Sequence, residues 1–186
     1  LIAFVEQAKK DDTLLACFYE FRYPEVVVAF KAAIDRGVQV SIIIDAKNNA
    51  EKFPRDDNLR TIQAAGIPAK NIICRQANQS SIQHNKFIVF IKGKSQTPTA
   101  VWTGSTNISQ GGIFGQTNVG HWVRDGQTAK QFAGYWHILS NDPGGAAGDE
   151  RAEVIAKNKA LKQAVVALQQ DVAPDNLAAI PHGITP

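Results

Sequence analysis

The pattern of apolar and polar positions predicts that strands and helices alternate from the start of the chain. Thr13 to Tyr19 is a short, continuous apolar run, which is typical of a buried strand. After Pro24 the apolar residues recur at helical spacing until Gly37. Val38 to Asp45 is rich in β-branched residues and begins with apolar and polar alternation, as in a second strand. This opening therefore predicts a βαβ unit.

The alternation continues downstream and then changes to a hairpin. Asn58 to Ala65 predicts a second helix, and Asn71 to Arg75 predicts a third strand. Lys86 to Ile91 and Thr99 to Trp102 are two strand-like runs, and the polar segment Lys92 to Pro98 joins them as a long loop. The predicted fold class is α/β, with a mixed, largely parallel sheet that is flanked by helices and includes this hairpin.

The carboxy-terminal part is predicted to contain a strand and two helices. Thr117 to Val123 predicts the strand, and Gln127 to Leu139 predicts an amphipathic helix. We expect a compact domain over residues 1–142, a glycine-rich flexible break over 143–148, and a long helix and linker over 149–186. The long helix has an apolar face that needs another surface to cover it, formed by Val154, Ile155, Leu161, Val165, Leu168 and Val172.

Composition is that of a globular domain and says little about partners. Of 186 residues, 44% are hydrophobic and 20% charged, and the net charge of +3 is too small to indicate an anionic partner by itself. The apolar runs are much shorter than the roughly 20 residues that span a bilayer, so any membrane contact is expected to be peripheral. The chain begins at Leu1 and has no methionine, so we expect the natural start to be missing, which leaves the cellular location open. Cys17 and Cys74 lie in apolar runs and are predicted to be buried thiols.

The residues with the strongest chemical signal form a His-x-Lys sequence that is followed, after the hairpin, by Gly-Ser-x-Asn. On an extended strand, His84 and Lys86 would project from one face, roughly 6.6 Å apart, and could touch the same phosphate. If Thr99 to Thr103 pairs beside that strand, Ser105 and Asn107 would reach the same end and add a hydroxyl and an amide donor. The conjunction of the two motifs is much rarer than either motif alone.

This order of motifs resembles that of the phospholipase D superfamily, over roughly residues 1–140. The resemblance implies a phosphodiester reaction in which His84 attacks phosphorus and forms a phosphohistidine. Lys86, Ser105 and Asn107 would bind the phosphate, and no metal or other cofactor is required. A second histidine would protonate the leaving oxygen and then activate water or an alcohol. Asn118 is expected to hydrogen-bond the ring of His84, because the family often has an orienting carboxylate there.

The chain departs from the family pattern in two ways. The family commonly has an aspartate five residues after the motif lysine, whereas this chain has Ile91. A complete site uses two copies of the motif, but His121, His137 and His182 are not followed by lysine two positions later. We therefore expect the amino-terminal half of a bilobed protein, with the second motif in a missing half. A homodimer partner is the alternative source of that motif.

Two questions about function stay open at the level of sequence. The substrate is expected to be a phosphodiester of either a phospholipid or a nucleic acid, since both present the same group to these residues. The rival interpretation is a catalytically silent anion-binding or assembly module that retains the fold. Ile91 favours the rival, and the intact set of four motif residues favours the enzyme.

Overall fold

The computed structural model describes residues 1–47, 54–76, 82–141 and 152–170. Within these ranges, helices flank one six-stranded sheet. In chain order the elements are α1 (Ile2–Glu6), β1 (Thr13–Phe18), α2 (Pro24–Asp35), β2 (Gln39–Asp45), α3 (Arg55–Ala64), a 3₁₀ turn (Ala69–Asn71), β3 (Ile72–Arg75), β4 (Lys86–Lys92), β5 (Thr97–Gly104), α4 (Gln110–Phe114), β6 (Gly120–Val123), α5 (Gly126–Ser140) and α6 (Ala152–Gln170).

The sheet has the strand order β3-β2-β1-β4-β5-β6 and is mixed. β1 pairs in parallel with β2, and β2 with β3, whereas β4, β5 and β6 join as an antiparallel meander. The helices α2 and α3 make the crossovers that parallel neighbours require. The α/β class and the mixed sheet are therefore confirmed, with parallel pairing confined to β1, β2 and β3. The carboxyl ends of four strands lie at the same end of the sheet, namely those of β1, β2, β3 and β5. We call this end of the sheet, where the strands terminate, the carboxyl edge.

Helices cover both faces of the central strands, so consecutive residues of these strands are buried on alternate sides. In β2, Ile42 and Ile44 pack on the face covered by α1 and α2, and Ile43 packs on the face covered by α5. The indole nitrogen of Trp136 in α5 also donates a hydrogen bond of 2.8 Å to the carbonyl of Ala16 in β1. The continuous apolar runs of the sequence thus correspond to strands that are buried on both faces.

The hairpin and the last strand differ in extent from the sequence prediction. Pairing between β4 and β5 reaches Lys92 and Thr97, so the connecting turn is shorter than the predicted loop. β6 begins at Gly120, because the preceding residues form a loop that packs against the end of β5. Cys17 is buried as expected, but Cys74 is exposed, because it lies on the edge strand β3.

The carboxy-terminal predictions are only partly covered by the structure. The break over residues 143–148 lies outside the described residues. α6 forms a helix as expected and lies against α5, yet Ile155, on its predicted apolar face, is exposed. No helix in the described ranges has the length and apolar character needed to cross a bilayer.

Candidate active site at the carboxyl edge

The two halves of the motif meet at the carboxyl edge because β4 begins where β5 ends. Phe87 pairs with Thr103, so Lys86 lies beside the last residue of β5. The Thr103 hydroxyl donates to the Lys86 carbonyl over 3.2 Å and ties the two strand ends together. The predicted pairing of the two strands is confirmed, and it brings the His-x-Lys sequence and the Gly-Ser-x-Asn loop to the same place.

His84 lies outside the strand, which corrects the prediction that it shares a strand face with Lys86. β4 begins at Lys86, and the His84 amide instead donates to the Ile82 carbonyl over 3.0 Å in a tight turn. The His84 side chain is exposed, and its ring meets the Tyr19 ring edge-to-face, with centroids 4.8 Å apart. The imidazole is therefore held from one side and accessible from the other.

Lys86 is only 5% exposed, which is unusual for a lysine. Its ammonium donates to the His84 carbonyl over 2.8 Å and lies 5.7 Å from the centroid of the Tyr19 ring. Burial removes water from the ammonium and lowers the pKa of Lys86 to about 8, although the Glu20 carboxylate acts in the opposite direction. Lys86 is thus a buried cation that titrates close to physiological pH.

The electrostatic surroundings favour the neutral form of His84. Partial burial and the Lys86 ammonium lower the pKa of His84 below its ordinary value. The carboxylates of Glu20 and Asp45 raise the same pKa, but their effect is smaller. At neutral pH the exposed ring is therefore largely unprotonated and has a lone pair free for nucleophilic attack or for proton transfer.

The loop after β5 is held in place by the segment that precedes β6. A Cβ atom on Gly104 would lie 2.1 Å from the Val119 carbonyl, so glycine is required for this close approach. The Ser105 amide donates to the same carbonyl over 3.0 Å, and the Ser105 hydroxyl accepts from the Val119 amide over 3.1 Å. Ser105 is itself exposed, and its hydroxyl also donates to the Asn118 side-chain oxygen over 3.1 Å.

Asn107 packs closely against the start of α4. A Cβ atom on Gly112 would lie 2.4 Å from the Asn107 carbonyl oxygen and 2.8 Å from its Cβ atom. Within the described residues the Asn107 side-chain oxygen is buried without a hydrogen-bond partner. Such a group is uncommon in a folded protein. It is an acceptor, and a phosphodiester has no donor to offer it, so any contact of Asn107 with a phosphate has to come from its amide nitrogen.

Asn118 does not hydrogen-bond His84, which corrects its predicted role as the orienting residue. Its amide nitrogen donates to the Gly112 carbonyl over 2.8 Å and to the Gln116 side chain over 3.0 Å. Its oxygen accepts from the Ser105 hydroxyl over 3.1 Å. Because Asn118 precedes β6 rather than lying within it, its side chain joins the Ser105 loop to α4.

A network that the sequence did not predict supports the segment before β4. Asp45 is fully buried and accepts from the Gln83 amide over 2.9 Å. Gln83, also buried, accepts from both the backbone and the side-chain nitrogen of Asn85, at 3.1 and 2.6 Å. Asp45 ends β2 and Glu20 lies two residues after the end of β1, so both carboxylates come near the carboxyl ends of strands, where α/β proteins commonly bind ligands. Their position near strand ends was the signal in the sequence that could have identified these two carboxylates.

The comparisons with known proteins agree with this geometry. Residues 1–137 match the family model of the PLD-like domain of cardiolipin synthase. The fold is similar to Nuc from Salmonella typhimurium, a phospholipase D family member, at 25% identity and a TM-score of 0.58, over 75% of this chain and 84% of that one. NucT from Helicobacter pylori is similar in fold at 18% identity and a TM-score of 0.50, over 74% of this chain and 83% of that one. No curated protein matches the chain.

Proposed function

Because the chain belongs to the phospholipase D-like family, we propose that it is a phosphodiesterase half-domain with His84 as its nucleophile. The main observation in support is the pairing of an exposed, largely neutral imidazole with the buried Lys86 ammonium at the carboxyl edge. Ser105 and Asn107 arrive at the same edge on the loop after β5. These groups supply a nucleophile, a positive charge and hydrogen-bond donors for one phosphodiester.

In the proposed reaction, a ring nitrogen of His84 forms a bond to phosphorus while the bond from phosphorus to the leaving oxygen breaks. The product of this step is a phosphohistidine. Lys86 offsets the negative charge that builds on the phosphoryl oxygens, and the Asn107 amide nitrogen donates a hydrogen bond to them. The Ser105 hydroxyl donates as well, by turning its proton from the Asn118 oxygen to the phosphate. In the second step, water or an alcohol attacks phosphorus, and the bond from phosphorus to His84 breaks.

The proposed reaction requires a second histidine, because one imidazole cannot serve both as neutral nucleophile and as protonated acid. The surroundings of His84 lower its pKa, which suits the nucleophile and not the acid. We propose that a second motif-bearing half supplies the acid, either from the same protein or from a second copy in a homodimer. That second histidine protonates the leaving oxygen and later accepts the proton of the attacking water.

The proposal is tested by the hydrolysis of bis(p-nitrophenyl) phosphate over a range of protein concentrations. We expect His84→Ala to reduce turnover by at least about 10³-fold. The matched control is His137→Ala, an exposed histidine on α5, which should leave turnover within about twofold. A rate that rises with the square of concentration supports the homodimer, and a rate restored by a separately expressed second half supports the bilobed protein. Turnover that survives His84→Ala would overturn the proposal.

A silent anion-binding module is the second candidate, and the burial of Lys86 is the observation that favours it. The ammonium is directed to the His84 carbonyl and away from solvent. The absence of the family aspartate at Ile91 counts less in its favour, because that end of the hairpin still has a buried carboxylate. The carboxylate of Asp12 accepts a hydrogen bond there from the Gly93 amide. Phosphate binding that is weakened by His84→Ala, without turnover at any concentration or with any second half, would favour this module.

The chemical class of the substrate is proposed as a phospholipid or nucleic-acid phosphodiester. Both present the same phosphate to His84 and Lys86, and they differ in the groups attached to it. Parallel assays with phospholipid vesicles and with single-stranded DNA distinguish them. The true substrate should be cleaved by the wild type and spared by His84→Ala.

A further inference from the structure

Glu20 lies two residues after the end of β1, alongside the segment that contains His84 and Lys86. β1 pairs with β4 so that Phe18 faces Lys86, and the Tyr19 amide extends this pairing by donating to the Asn85 carbonyl over 3.0 Å. The Glu20 side chain is only 15% exposed. A carboxylate at this position is therefore partly shielded from water and acts strongly on nearby charges.

The Glu20 carboxylate has two further partners that fix its position. One oxygen pairs with the Arg22 guanidinium over 2.7 Å, and the other accepts a short hydrogen bond from the Ser109 hydroxyl. Ser109 caps α4 by accepting from the Gly112 amide, and Gly112 is the residue against which Asn107 packs. The carboxylate is thus connected by direct contacts to the loop of the phosphate-binding residues.

The charged and titratable groups around Lys86 come from three elements. Glu20 and Tyr19 follow β1, His84 precedes β4, and Asp45 at the end of β2 acts on His84 and Tyr19. Among them, Glu20 is the group that raises the pKa of Lys86 and so opposes the effect of burial. It also raises the pKa of His84.

We propose that Glu20 is a positioning residue that keeps the Lys86 ammonium charged and anchors the Asn107 loop through Ser109. This role rests on the proposed function of the site, since a charged Lys86 matters for reaction only if a phosphodiester binds there. Glu20 reaches the site from the segment that follows β1. Its proposed role differs from the one predicted for Asn118, because it acts on the lysine and the loop and not by a hydrogen bond to the imidazole.

The test is to measure the pKa of the Lys86 ammonium by NMR in the wild type and in Glu20→Gln. Removal of the carboxylate should lower this pKa below its wild-type value of about 8. Asp57→Asn is the matched control, because Asp57 pairs with the same Arg22 over 2.6 Å from a more exposed position, and it should shift the Lys86 pKa much less than Glu20→Gln does. Arg22→Gln should move the pKa upward, because Glu20 then loses a compensating charge, and this variant tests the proposal if Glu20→Gln does not fold.

In the completed enzyme, Glu20→Gln should move the alkaline limb of the pH profile of turnover to lower pH. For each unit by which the Lys86 pKa falls, turnover of the variant relative to the wild type should be about tenfold lower on the alkaline limb than at acidic pH. An unchanged Lys86 pKa in Glu20→Gln, or an equal shift in Asp57→Asn, would overturn the inference. The NMR titration needs no turnover, so a failure of the proposed phosphodiesterase activity alone would be recognised separately.

Discussion

The two ends of the β4 strand each combine a lysine with a carboxylate, but they differ in whether the lysine is buried. At the carboxyl edge, Lys86 is 5% exposed and Glu20 is the nearby acid. At the hairpin turn, the Asp12 side chain is 2% exposed, and its partner Lys92, 3.4 Å away, is 54% exposed. The carboxylate is therefore mostly buried at both ends, whereas the lysine is buried at the carboxyl edge and exposed at the hairpin turn.

The two buried charges, Asp12 and Lys86, differ in the number of hydrogen bonds that stabilise them. Asp12 accepts from the Lys9 amide over 2.9 Å, from the Gly93 amide over 2.7 Å and from Lys92. Burial works against its ionisation, but these donors outweigh burial, and the pKa of Asp12 lies below its ordinary value. Such a carboxylate stabilises the fold.

The Lys86 ammonium has fewer hydrogen-bond partners than the Asp12 carboxylate. Within the described residues, its ammonium donates one hydrogen bond, to the His84 carbonyl, and burial lowers its pKa to about 8. A buried cation with unused donors costs stability and is typical of a site that binds an anion. The hairpin end thus holds a charge that supports the structure, and the carboxyl edge holds one that we propose to act on the substrate phosphate.

The largest expected contrast between the two ends concerns turnover. Lys86→Met should reduce phosphodiester hydrolysis by the completed enzyme by at least about 10²-fold, because the charge on the phosphoryl oxygens is no longer offset. Lys92→Met is the matched control and should stay within about twofold, since Lys92 lies at the far end of the strand. Comparable losses in the two variants would contradict the contrast.

The second expected effect concerns stability at the hairpin end. Asp12→Ala should lower the free energy of unfolding by about 2–3 kcal/mol, because two backbone amides lose their acceptor. Urea denaturation measures this, with Asp35→Ala as the control, since Asp35 is 59% exposed in a surface pair and should cost about 0.5 kcal/mol or less. A loss near that of the control would mean that the carboxylate does not stabilise the turn.

The third effect follows from the pKa of Asp12. Because folding lowers this pKa from 3.8, the ionised carboxylate adds stability above pH 3.8, and this stability is lost as the pH falls through the folded-state value. The stability difference between the wild type and Asp12→Asn should therefore be constant near neutral pH and shrink in acid. Unfolding curves at several pH values test this, and a difference that grows in acid would contradict it.

The fourth effect has the same direction with pH, because folding lowers the pKa of both groups, but the charged form that it concerns is destabilising at Lys86 and stabilising at Asp12. Folding lowers the Lys86 pKa from 10.5 to about 8, so the folded state loses the proton first. The wild type should gain stability relative to Lys86→Met as the pH rises from about 8 to 10.5. Urea denaturation of both proteins across this range measures the gain. If the stability of the two proteins changed with pH in the same way, burial would not disfavour the charged form of Lys86.

The smallest effect is expected for the exposed member of the hairpin pair. Lys92→Met should change the free energy of unfolding by about 0.5 kcal/mol or less, because the exposed ammonium is well solvated. Asp12 keeps both backbone donors in this variant. A cost comparable to that of Asp12→Ala would show that the ion pair, and not the amide bonds, stabilises this end.

The sequence alone determined most elements of the fold and the family, and it supplied the candidate reactive residues. The apolar runs and their periodicity predicted β1, α2 and β2 closely, because burial on both faces leaves a strong local pattern. The order of the two motifs, ending in Ser105 and Asn107, indicated the family that the match over residues 1–137 then showed. Both inferences depend on residues that are near one another along the chain or that recur at a fixed period.

Only the tertiary structure decided the surroundings of those residues. Glu20 acts on Lys86 from 66 positions earlier in the chain, and Asp12 reaches Gly93 across the sheet. Asn118 hydrogen-bonds Ser105 and not His84, because β6, the strand that was predicted to include Asn118, begins two residues later. Such contacts depend on strand order and register, which bring distant residues together and leave no periodic signal in the sequence.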